Sequence, residues 1–101
     1  MNIPGSDEDA ALFKIDTAQS ASFLVACEEG SIRSASERLG VEPSTISRQI
    51  KALETSLGTA LIERGRKGIR PTEAGHLLRT YLKHQQSEQE ALLSDFDALK
   101  G

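Results

Sequence analysis

Leu39-Gly40-Val41-Glu42-Pro43 separates two short amphipathic stretches, and this bend constrains the fold more than any other feature of the chain. On its C-terminal side Ile46, Ile50, Leu53 and Leu57 recur at i, i+4, i+7 and i+11. At about 100° per residue that spacing lines them along one stripe of a helix. Ser44, Arg48, Lys51 and Thr55 repeat the spacing almost directly opposite. On the N-terminal side Ser31 can cap a helix over Ile32 to Leu39, with Ile32, Ala35 and Leu39 as its inner face. Gly40 can take the positive φ that ends a helix, and Val41 is expected to plug the corner. Pro43 opens the next helix in its first turn, where a missing N–H costs little. Gly58 stops that helix. Two helices joined by a short Gly-containing turn make a helix-turn-helix.

A helix with one apolar stripe and a back of hydroxyls and cations can dock on a small core while offering hydrogen-bond donors outward. A helix entering the major groove of DNA needs that pattern. An ordinary amphipathic surface helix has it too, so the rest of the chain must discriminate. The net charge of −3 argues at first against a nucleic-acid partner, but placement matters more than the sum. Residues 1–30 carry six anions and one cation, residues 31–73 eight cations and five anions, and the remainder three cations and four anions. The positive charge is confined to the segment that holds the helix-turn-helix.

Around that segment the chain reads simply. Residues 1–15, with Pro4, Gly5 and the acidic Asp7-Glu8-Asp9 run, form a flexible N-terminal arm. A first helix runs from a cap at Asp16 or Thr17 to Gly30, and Phe23, Ala26 and Cys27 share its inner face. After Gly58 the pattern turns to strand: Leu61-Ile62 and Ile69 flank Gly65-Arg66-Lys67-Gly68, which suits a β-hairpin. Arg64, Arg66, Lys67 and Arg70 concentrate on this ribbon, where they can reach phosphates or a minor groove beside the docked helix. A solvated edge ribbon protected by cations is the alternative. Pro71 ends the ribbon and Thr72 caps a long helix. Along it Leu78, Leu82, Gln85, Gln89, Leu92, Phe96 and Leu99 repeat in steps of 4 and 3, a heptad seam with two glutamines in its middle. So small a protein has little chain left to cover such a seam, which predicts pairing with a second copy.

These residues are specific enough to name a family. EEGSIRSASERLGVEPSTISRQIKALETSLGTALIERGRKGIRPTEAG resembles the N-terminal winged helix-turn-helix domain of the LysR-type transcriptional regulators, and the helix after it resembles their linker helix. The resemblance implies a domain that binds DNA as a dimer, with linker helices packed antiparallel and two recognition helices in successive major grooves. It assigns Pro43, Ser44, Thr45, Ser47 and Arg48 to the base- and phosphate-facing positions of the recognition helix. Ser31 and Arg33 fall near the DNA backbone, and Lys67 falls at the wing tip. The chain departs from the family pattern at Pro43-Ser44, where a Gln-Pro or Gln-Ser pair is common, and at Leu61-Ile62 and Pro71-Thr72 of the wing. Such regulators continue into a small-molecule effector domain where this chain stops, so a fragment of a longer regulator is expected, with effector binding confined to the missing part. A tetramer is possible in the full-length protein.

The predicted fold is therefore mainly α: three helices plus a short β-hairpin wing over residues 16–71, then a dimerising linker helix over residues 72–101. Expected partners are double-stranded DNA, contacted by the residues named above together with Lys51, Arg64, Arg66 and Arg70, and a second copy of the chain. No apolar run approaches the roughly 20 residues of a membrane span, and the acidic N-terminus differs from a signal peptide, so the expected location is the cytoplasm. A single cysteine excludes an internal disulfide and any Cys-based zinc cluster; no cofactor or metal is expected. His76 and His84 have no carboxylate or thiol at ligand spacing, and neither a Gly-x-Ser-x-Gly elbow nor a Walker pattern occurs, which argues against an enzyme. A pure dimerisation module remains the third reading.

Overall fold

Asp16, Ser31 and Thr72 each accept a hydrogen bond from a backbone N–H three residues ahead, at 3.0 Å in every case, and so start three of the four helices among the described residues. The computed structural model describes residues 15–101 and orders them as α1 (Thr17–Glu29), α2 (Ile32–Leu39), α3 (Pro43–Leu57), β1 (Ile62–Gly65), β2 (Gly68–Pro71) and α4 (Glu73–Lys100). α3 begins without a side-chain cap: Glu42 occupies the capping position but makes no such bond, and Pro43 supplies the preset φ. The strands pair antiparallel from Ile62 with Pro71 to Gly65 with Gly68, leaving Arg66-Lys67 as the two-residue tip. The architecture is the one the sequence predicts, a helix-turn-helix with a hairpin wing and a long final helix. The expected N-terminal arm lies outside the described residues except for Ile15, which packs half-buried against the core.

That core is aliphatic apart from Phe23. Ile46, Ile50 and Leu53, the stripe read on α3, are all 1% exposed or less, and they meet Phe23 and Ala26 of α1, Ala35 of α2 and Leu61 before β1. Truncating one of the large members to Ala removes packing that is typically worth about 2–5 kcal/mol. Ser22 of α1 adds a polar tie by donating its hydroxyl to the side-chain carbonyl of Gln49 on α3. Cys27 is half-buried beside the core, and burial pushes its thiol above the ordinary range.

Three expectations need correction. Val41 does not plug the corner and is 41% exposed. Its N–H closes the turn instead, donating to the Ser36 carbonyl at 3.1 Å, and the position that would meet its side chain carries a serine. Leu39 is also exposed, so Ala35 and half-buried Ile32 carry the inner face of α2. The heptad seam is divided. Leu78 and Leu82 lie in the chain's own core, because the first turns of α4 run beneath Leu61, whereas Gln85, Gln89, Leu92, Phe96 and Leu99 are exposed.

Candidate nucleic-acid interface

The outer edge of α3 forms because its inner stripe is fully committed to the core. With Ile46, Ile50 and Leu53 buried, Ser44, Arg48, Lys51 and Thr55 are necessarily turned to solvent, and all four are exposed. Pro43 is exposed at the leading end, and Thr45 and Ser47 are half-buried along the flanks. Of the positions assigned to the recognition helix, none is sealed in the core.

The wing is fixed at both strands. The Leu61 N–H donates to Oε2 of Glu54 at 2.7 Å and the Ile62 N–H reaches the same oxygen at 3.4 Å, so α3 itself holds the start of β1. Thr72 donates its N–H to the Leu61 carbonyl at 3.0 Å and its hydroxyl to the Ala60 carbonyl at 2.7 Å. On the other strand, the Ile69 N–H donates to the Gly30 carbonyl at 2.9 Å. This docking demands a glycine at position 68: its φ is +117°, and a Cβ there would lie 2.1 Å from the Gly30 oxygen. That Cβ would also lie 3.8 Å from Cβ of Ser31, so the wing tip, with Lys67 next to Gly68, sits beside the start of α2. Ser31, placed near the DNA backbone by resemblance, and the wing tip, where the resemblance puts Lys67, are thus brought side by side by a backbone hydrogen bond that joins segments far apart in sequence.

Charge is distributed unevenly over these elements. Arg33 pairs with Glu37 at 3.5 Å, Arg70 with Glu63 at 3.2 Å, and Arg38 with Glu28 and Glu29. Among the described residues, no acidic group forms a salt bridge with Arg48, Lys51, Arg64, Arg66 or Lys67, and all five are exposed. Five cations without internal counter-charge on α3 and the wing, beside the hydroxyls of Ser44 and Thr55, can donate to phosphate oxygens and to acceptors on base edges. Among the described residues no three His, Cys, Asp or Glu side chains gather into a metal site, and no helix is long and apolar enough to cross a membrane.

Sequence reading missed two residues that shape this face. Glu54 counted there only as an anion in a basic segment, and Glu28 only as part of an acidic N-terminal third. The signal was local in neither case, since each acts on a residue that the fold brings to it.

Residues 18–76 match the family described as bacterial regulatory helix-turn-helix protein, lysR family. The HTH-type transcriptional regulator TcbR of Pseudomonas sp. (strain P51) is 44% identical over 54 residues, which are 54% of this chain and 18% of that protein; the chain thus spans less than a fifth of this relative's length. Among solved structures, the BenM_DBD/benA site 1 DNA complex superposes with a TM-score of 0.78 at 28% identity, covering 84% of this chain and 99% of that one. The CbnR_DBD-DNA complex does so with a TM-score of 0.77 at 30% identity, covering 86% of this chain and 100% of that one. The chain belongs to the lysR family of bacterial regulatory helix-turn-helix proteins.

Proposed function

We propose that this chain is the sequence-specific DNA-binding module of a LysR-type transcriptional regulator, a binding protein rather than an enzyme. It inserts α3 into a major groove of double-stranded DNA and acts in the cytoplasm without cofactor or metal. The observation that carries the reading is the set of five cations on α3 and the wing that have no counter-charge among the described residues, on a chain whose net charge is negative. Internal pairing leaves this cationic face to neutralise an outside anion, and the hydroxyls between the cations suit base edges as well as phosphates. Two similar solved structures are complexes with DNA. Ser44, Thr45, Ser47 and Arg48 read bases and phosphates, while Ser31, Arg33, Lys51, Arg64, Arg66, Lys67 and Arg70 hold the backbone.

The same reading has the chain act as a homodimer on an interrupted inverted repeat. Support comes from α4, whose far half exposes Leu92, Phe96 and Leu99, and from an open groove between α1 and α4 lined by Ile15, Ala21, Leu24, Leu82, Gln85 and Leu92. The deciding experiment is selection of bound duplexes from a random pool, followed by titration of the enriched sequence at low salt. Enrichment of an inverted repeat bound by two chains is expected. A pool that stays random, with no shift of any duplex, overturns the DNA-binding reading, and a dimer that ignores DNA makes the chain a dimerisation module.

A further inference from the structure

Glu28, near the end of α1, is the one carboxylate among the described residues that joins three helices. Its Oε2 accepts from Nζ of Lys83 on α4 at 2.8 Å, and its Oε1 accepts from Nη1 of Arg38 on α2 at 3.0 Å. The same Arg38 nitrogen donates to Oε2 of Glu29 at 3.3 Å. The Glu28 side chain is only 24% exposed, and its two cations hold its carboxyl below the usual range.

Lys83 stands where α4 leaves the domain. Gly75, Leu78 and Leu82 are the buried residues of this helix, and from Lys83 to Gly101 every residue is exposed. Among the described residues, the pair with Glu28 is therefore the last hydrogen bond or ion pair between the helix and the body that carries α3 and the wing. Beyond it the helix is a lever. The 16 residue steps from Lys83 to Leu99 extend about 24 Å at 1.5 Å per residue, so a tilt of about 10° at Lys83 moves the far end by about 4 Å. That is about one base step, the rise being roughly 3.4 Å.

We infer that Glu28 is a positioning residue: by latching Lys83 it sets the angle between α4 and α3, and through that angle the separation of the two half-sites a dimer accepts. The inference rests on the dimer reading given above. It needs little energy from the pair. A surface ion pair contributes little to stability, so removing it leaves the domain folded while widening the range of tilt.

The test uses the full chain as wild type, Glu28→Gln, Lys83→Met and Lys83→Arg. Each is given a pool in which two inverted copies of the selected half-site are separated by every spacing over one helical turn. The wild type and Lys83→Arg are expected to favour one spacing by tenfold or more. Glu28→Gln and Lys83→Met are expected to bind a single half-site within twofold of wild type, yet to accept neighbouring spacings within threefold of the best. Spin labels at Thr55→Cys and Gln89→Cys in a Cys27→Ser background, diluted with unlabelled chain, read the tilt within one protomer. Their distance distribution should broaden by several ångströms in Lys83→Met. Unchanged spacing preference and unchanged label distances in both variants overturn the latch and leave DNA binding intact. A wild type that selects no spaced repeat overturns the dimer reading and the latch with it.

Discussion

The carboxylate of Glu54 accepts the Leu61 N–H at 2.7 Å, and with that bond the helix facing the groove positions the first strand of the wing. Leu61 is 1% exposed, and its carbonyl is taken by the Thr72 N–H, so a single buried residue links α3, the hairpin and the start of α4.

Replacing Glu54 with Ala leaves the Leu61 N–H buried without an acceptor. The expected loss is about 1–3 kcal/mol of stability, the desolvation cost of an orphaned donor. Urea denaturation measures it, and amide exchange at Leu61 and Ile62 should accelerate more than at Ile50. Equal acceleration at all three would mean that Glu54 has no local role in holding the wing.

Gly75→Ala tests the same junction from the other side. A Cβ at position 75 would lie 2.1 Å from the Leu61 oxygen and 3.0 Å from Cβ of Pro71. Backbone must move, because neither neighbour is a flexible chain end. Overpacking of this kind typically costs about 1–3 kcal/mol, visible as a lowered Tm in thermal unfolding. In an ordinary helix interior the same change would stabilise.

Glu42 leaves α3 without a side-chain cap. Glu42→Ser restores a short hydroxyl at that position and should stabilise the domain by about 0.5–1 kcal/mol. It also removes an anion from the leading end of the cationic face, so the affinity for unrelated DNA should rise. Calorimetry and filter binding read the two effects separately.

Lys67→Ala and Arg48→Ala should differ in kind. Losing Lys67 at the wing tip should weaken binding to every duplex and lower the magnitude of the salt slope by about one. Losing Arg48 should cost about 1–3 kcal/mol on the selected sequence and relax the preference at the positions it reads. Titrations at several salt concentrations, on selected and scrambled duplexes, separate these patterns. Identical behaviour of the two variants would remove the distinction between the wing and the helix.

Stability near the acid limit should carry the mark of Glu28. Its carboxyl titrates lower in the folded chain than in the unfolded one, chiefly through the Lys83 hydrogen bond. The unfolded state therefore takes up a proton first, and the stabilisation is present above the ordinary glutamate range near about pH 4.3 and disappears as pH falls through the folded value. Wild type should be slightly more stable than Glu28→Gln at pH 7, and the two should converge toward pH 3 in urea denaturation.

The sequence by itself determined the helices, the turn and the hairpin, because their signals are local. Ser31, Gly40, Pro43, Gly58 and Thr72 set boundaries through capping and backbone preferences, and the 3.6-residue period of Ile46, Ile50 and Leu53 fixed which edge of α3 meets solvent. Periodicity states that a stripe is apolar without saying what covers it. Leu78 and Leu82 share a seam with Leu92 and Phe96, yet only the tertiary structure separates the two that their own chain buries from those left exposed. The same holds for Glu54 on the wing, for Gly68 against Gly30, and for Glu28 and Lys83, which are 55 residues apart. A charge or a glycine looks alike in sequence whether it faces water or a distant segment, and only the packed chain brings that segment to it.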